Sequence, residues 1–230
     1  MSAATLPAAV PSPLRRVATP RRHLAWLAGG LALSFAVPFL FADQLGMQRD
    51  LYYGIYALAT AGLWAAWLRY TGQSLGAIVR RRWRLAVGLG LAAAAVCVLL
   101  VLAAEDAAAH PDGLEFAGAI VWRGLVYGVI DGLLLTAFPI LVVFAAMRES
   151  RVGARLAVAL AASLLMTATY HLGYSDFRSD KVARPLAGDV LWSVPTLVTL
   201  NPIAAPIAHV GLHVGAVVHN YDTQLFLPPH

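Results

Sequence analysis

Charge is what this chain has least of: only 13% of its 230 residues are Asp, Glu, Lys or Arg, against about 25% in a typical soluble domain. Cysteine is almost absent. The single Cys97 excludes an intrachain disulfide and a cysteine metal cluster, and inside an apolar run it reads as a small packing residue. Lysine is nearly missing too, since sixteen of the seventeen basic residues are Arg; together with the abundant Ala this points to a genome rich in G and C. No charged residue interrupts 85–104 (LAVGLGLAAAAVCVLLVLAA), a length that spans a ~30 Å hydrocarbon core. A soluble apolar bundle does not need such a run. With 60% hydrophobic residues and a mean hydropathy of +0.69, the composition predicts an all-α polytopic integral membrane protein.

What is present divides into seven apolar segments, roughly 25–42, 51–69, 85–104, 114–147, 153–171, 186–200 and 203–219, which predict about seven (six to eight) transmembrane helices. They form one helical domain over 25–220, with no repeat at a fixed period and no separate soluble domain. Residues 1–24, Ala/Pro/Ser-rich with Arg15, Arg16, Arg21 and Arg22, read as a disordered basic tail rather than a secretory signal. Residues 221–230 read as a short, Pro-stopped tail. Basic residues cluster in the N-terminal tail, after the second segment and after the fourth, twelve against four in the opposite loops. The positive-inside rule then puts the N-terminus in the cytoplasm and, with seven spans, the C-terminus outside, in a bacterial cytoplasmic membrane. The fourth segment is the ambiguous one. At 34 residues a continuous helix would run ~51 Å, so it is expected to tilt, to break near Phe138–Pro139 or to begin along the interface.

Polar groups inside these segments are costly, and they carry the functional reading. Arg123, Tyr127 and Asp131 recur every four residues along one drifting stripe, with Glu115 two turns earlier. Arg123 and Asp131 stand ~12 Å apart along the axis, too far to pair, so each is expected to find partners on other helices. One packing reading joins Arg123 to Asp189. Gly124, Gly128 and Gly132 run beside the stripe as a close-packing face, and Gly211 and Gly215 form a second such pair. The fifth segment carries Ser163, Thr167 and His171 at the same spacing. The last segment carries His209 and His213 on one helix face, with His219 beyond them.

Three fragments, WRGLVYG at 122–128, YHLGY at 170–174 and PIAHVGLH at 206–213, together resemble the CPBP intramembrane proteases, the family of the type II CAAX prenyl endopeptidases and bacterial Abi-type proteins. The family pattern is EExxxR, then FxxxH, then HxxxN or HxxxD on separate transmembrane helices, and the likeness covers about 114–220. Arg123 matches the arginine of the first motif, His171 the histidine of the second and His209 that of the third. The glutamate pair is replaced by Gly118 and Ala119, the aromatic by Thr167, and the Asn or Asp by His213. The resemblance implies a membrane endopeptidase cutting a membrane-proximal peptide or protein. Glu115 or Asp131 would then supply the acid, because a general base must sit within hydrogen-bond reach of the attacking water.

Two other readings stand beside the hydrolase. One is a non-catalytic protein of the same fold, a scaffold, binding or immunity-type membrane protein, which the missing glutamate pair favours. The other is a metal site, for which His209 and His213 at i,i+4 with His171 as third ligand have the spacing. Otherwise no cofactor is expected. The basic clusters are juxtamembrane and fit anionic lipid better than nucleic acid.

Overall fold

The computed structural model describes residues 18–228, all in helices and their connections, with no strand among them. Seven long helices account for the seven apolar segments: α1 (Pro20–Gln44), α2 (Arg49–Thr71), α4 (Trp83–Ala104), α5 (Gly113–Ala146), α6 (Val152–Leu172), α7 (Ala183–Thr199) and α8 (Ala204–His219). A short α3 (Leu75–Arg80) lies between α2 and α4, its Ser74 cap accepting the Ala77 amide at 3.3 Å. Four of these helices, α1, α4, α5 and α6, are long and apolar enough to cross a membrane by length and composition. Helix α1 starts at Pro20, a residue suited to the first helical position, so Arg21 and Arg22 belong to the helix and not to a tail ending at 24. Arg15 and Arg16 lie outside the described residues.

Helix α5 neither breaks nor splits at Pro139. It runs unbroken for 34 residues and contains two wide, π-helical stretches, Ile120–Val126 and Gly132–Ala137. The second lies immediately ahead of Phe138–Pro139, where proline supplies no amide proton and its ring would clash in a regular turn; the wide turns absorb the mismatch. Every residue from Phe138 to Ala146 is buried, with Trp64 and Trp67 of α2 packed edge-on against Phe138. Helix α5 is therefore the central post of the bundle.

Its glycine stripe sets the closest approach. A β-carbon on Gly124 would stand 2.7 Å from Val214, on Gly128 2.8 Å from Val210, and on Gly132 2.6 Å from Pro206, all on α8. On the other side of α8, Gly211 meets Ala94 and Gly215 meets Val98 of α4. Helix α8 is clamped between α4 and α5 by small residues on both contacts.

The connections gather at two ends. At one, Asn201 Nδ2 donates to the carbonyls of Val79 (2.7 Å) and Arg81 (2.6 Å), and Arg82 Nη1 to that of Val198 (3.0 Å). At the other, Asp43 receives the Ser175 amide (2.8 Å) and Arg178 (3.1 Å), and His219 Nε2 donates to the Glu105 carbonyl at 2.8 Å. The C-terminal stretch is no free tail. Thr223 Oγ1 caps the amides of Leu225 and Phe226, and Leu227 enters the core. Residues 221–228 thus fold back over the bundle, because their apolar side chains have a buried place to go.

Gly132→Ala should lower stability by about 1–3 kcal/mol, the usual cost of overpacking, because its new methyl meets α8 backbone. Gly62→Ala on the open face of α2 should change it little. Denaturant unfolding of both variants in detergent micelles measures the difference.

Candidate functional site

The polar centre forms where α2, α5, α6 and α8 meet. Asp131 is 5% exposed. Its Oδ1 accepts from Tyr56 at 3.0 Å and its Oδ2 faces His213 Nε2 at 3.3 Å. His213 Nδ1 in turn faces the carbonyl of Phe226 at 3.0 Å, in the folded-back C-terminal stretch. A carbonyl can only accept, so Nδ1 carries a proton. One further proton then lies between Nε2 and Oδ2, whichever of the two holds it, and the pair bears no net charge. That neutrality suits a site deep in a low-dielectric bundle.

His209 lies one turn deeper on α8, 1% exposed, its ring centroid 6.2 Å from that of His213 and 4.8 Å from that of Trp192. Its Nδ1 donates to the Ala205 carbonyl at 3.1 Å, and its Nε2 has no hydrogen-bond partner among the described residues. His171 on α6 donates from Nδ1 to the Thr167 carbonyl at 2.8 Å, stacks edge-on against Phe177 and stays in electrostatic reach of Asp131 without bonding to it. With the His213 nitrogens both engaged, His209 Nε2 is the open nitrogen of the His209–His213 pair. Among the described residues no three His, Cys, Asp or Glu side chains are grouped to hold a metal ion.

Arg123 stands apart from the histidines. Its guanidinium grips Asp50 at the start of α2 through two bonds, 2.9 Å from Nε and 2.8 Å from Nη2, and lies 4.9 Å above the ring of Tyr221. The planar fork matches a carboxylate edge, which makes this a strong pair at the rim. Asp50, not Asp189, is its partner. Glu115 is exposed at the start of α5 and accepts a hydrogen bond from Tyr221 at 3.3 Å. It does not reach the histidines, because the wide turn of Ile120–Val126 and two further turns of helix intervene between it and Asp131.

Two buried clusters had no motif to announce them. Around Asp131, the hydroxyls of Tyr52, Tyr170 and Tyr174 close a ring of hydrogen bonds of 2.8–3.1 Å, and Tyr127 joins it through Tyr170 at 2.8 Å. Tyr127 also meets His213 edge-on at 4.7 Å and stacks on Tyr53 at 4.2 Å. The available signal was Tyr52 and Tyr56 at i,i+4 on α2, facing YHLGY on α6. The second cluster is Asp189, fully buried on α7, whose Oδ1 receives Thr136 (3.0 Å), Ser163 (3.1 Å) and Ser193 (3.2 Å). Hydroxyls from three helices therefore hold this carboxylate in place of a cation.

Removing His213 strands Asp131 in the core. His213→Ala and Asp131→Ala should each cost about 3–5 kcal/mol, and the double variant less than their sum, with a coupling of about 0.5–3 kcal/mol. A double-mutant cycle of micellar unfolding energies measures this, and strictly additive losses would show that the two groups do not interact. No family model, curated protein or solved structure matches the chain.

Proposed function

We propose that the chain is a seven-span membrane protein that works by binding or scaffolding, not by hydrolysis. The observation that carries this reading is the filled valence of His213. One nitrogen is taken by the Phe226 carbonyl and the other by Asp131, so neither is open to activate a water. The whole Asp131–His213–His209 group is at most 5% exposed, beneath the C-terminal stretch.

The membrane reading draws support from how the surface is distributed. In α1, α4 and α6 only 22%, 33% and 28% of the apolar window is buried, so much of their apolar surface faces outward. Leu58, Leu99 and Leu114 are 77%, 65% and 92% exposed, while Asp131, Asp189 and His209 lie inside. Soluble proteins rarely expose apolar surface on that scale. The ends differ in charge as well. Arg69, Arg80, Arg81, Arg82, Arg84, Arg148, Arg151 and Arg155 border one end, with Glu149 as its acid. Asp43, Asp50, Glu105, Asp106, Asp112, Glu115, Asp176, Asp180 and Asp222 border the other. The arginine end is the cytoplasmic one under the positive-inside rule, and the C-terminal stretch then lies outside.

The CPBP-like hydrolase is the second reading, and Asp131 beside His213 is what favours it. An acid and a histidine meet on two helices with His209 Nε2 open one turn away. For water to enter, residues 221–228 would have to leave.

The crossing of α4 and its direction are checked with Cys97→Ser as background. A membrane-impermeant maleimide should label the exposed Ala107→Cys on intact cells or spheroplasts, and the exposed Ala77→Cys only after permeabilisation. The two functional readings separate in vesicles containing the purified chain and membrane-proximal peptides. No cleavage sensitive to His209→Ala is expected, even from a chain truncated after Asn220. Turnover that appears on truncation and disappears with both His209→Ala and Asp131→Asn would establish the hydrolase instead.

A further inference from the structure

The outer end holds a second site, independent of the histidine centre. Arg49, the first residue of α2, is only 7% exposed, forms no ion pair or hydrogen bond among the described residues, and its Nε is buried without a partner there. Burying a guanidinium without a counter-charge is expensive, and buried arginines are normally paired. The nearest carboxylate in sequence, Asp50, is committed through both oxygens to Arg123. One turn along α2, on the same face, the Tyr53 hydroxyl is also buried without a partner and lies in electrostatic reach of Arg49.

Arg49 and Asp50 border a cavity of about 300 Å³ lined also by Gln48, Arg123, Asp222 and Gln224. Gln48 and Gln224 add amide donors to its wall. Asp222 is exposed at the rim and makes no ion pair among the described residues. The cavity therefore joins Arg49, without a carboxylate in contact among the described residues, an Arg123 already neutralised by Asp50, two neutral amide side chains and the Asp222 carboxylate at its rim, with access from the end of the bundle. We infer that it is a binding site for an oxyanion, a phosphate or carboxylate group, whose two oxygens take the fork of Arg49 while the amides of Gln48 and Gln224 hold its flanks. The planar guanidinium is shaped for such bidentate contact. Asp222 is the competitor that the ligand displaces from the mouth of the site. The same chemistry is offered by a free anion and by the phosphate of a lipid headgroup, and the site opens where either would arrive.

The test uses the full chain and reads binding, not activity. In neutral detergent, inorganic phosphate or acetate at matched ionic strength is titrated against the thermal midpoint, with chloride as the reference. In nanodiscs of phosphatidylcholine with and without phosphatidylglycerol, lipid retention is followed by native mass spectrometry. Stabilisation of the wild type by phosphate or acetate identifies a free anion, and retention of phosphatidylglycerol alone identifies a headgroup. In either case Arg49→Gln should weaken binding by about tenfold or more, worth about 1.4 kcal/mol, while leaving the ligand-free midpoint unchanged or higher, since an unpaired buried charge is gone. Arg49→Lys keeps the charge without the fork and should bind with intermediate strength. Asp222→Asn should tighten binding. The inference is overturned if none of the three ligands separates the wild type from both Arg49 variants, or if Asp222→Asn weakens binding.

Discussion

The approach of α5 to α8 is the contact on which the interior depends. Without β-carbons at Gly124, Gly128 and Gly132 the two backbones come within van der Waals reach, and Asp131 and His213 are carried across the seam into hydrogen-bond range. On the proposed membrane reading there is no hydrophobic gain from bringing two apolar helices together in lipid, so shape and buried polar contacts hold them. Here the two act at one place. The glycine face gives dispersion contact along the helices, and the shared proton of the Asp131–His213 pair gives a directional bond that a shifted register would lose. The second glycine pair, Gly211 and Gly215, extends the same arrangement to α4, so α8 is held on both sides.

Around that seam the polar residues sort by whether they need a charge partner. Arg123 lies at the rim, where it is partly wet, and it takes a full bidentate carboxylate. Asp131 lies deeper and takes a histidine that keeps the pair neutral, with a tyrosine hydroxyl on the other oxygen. Asp189 takes hydroxyls on Oδ1, and its Oδ2 has no hydrogen-bond partner among the described residues. Tyr52, Tyr127, Tyr170 and Tyr174 fill the space between, their rings supplying apolar contact and their hydroxyls satisfying one another. Arg49 is a buried cation with no carboxylate in contact among the described residues, and that gives it functional weight.

The folded-back stretch from Tyr221 to Pro228 changes how the histidines read. On α8 alone, His209 and His213 present two imidazoles to a common space. With the Phe226 carbonyl on one and Asp131 shared by the same ring, His213 becomes a bridge between α5, α8 and the C-terminus. His209 keeps its open nitrogen, but against Trp192 and beneath the same cover. A sequence match to a catalytic motif counts only side-chain type and spacing. Whether a nitrogen is free is a matter of what stands opposite it.

Much was legible in the chain as written. Charge-free runs and Arg-rich links mark the helices and their ends, since hydrocarbon admits few charges and backbone bonds must close within each segment. The glycine repeats at four-residue spacing mark both close-packing faces, because helix periodicity alone puts those residues on one side. The need of Arg123 and Asp131 for partners elsewhere follows from their rise along the axis. The identity of those partners did not follow. Asp50 rather than Asp189 for Arg123, Tyr56 and His213 for Asp131, and the C-terminal carbonyl for His213 all depend on how helices distant in sequence are rotated and staggered. The wide turns of α5 add to this by shifting the phase of its stripe midway, so a regular 3.6-residue projection misaligns Glu115 with Asp131. Local spacing decides which residues share a face; only the packed bundle decides what each face meets.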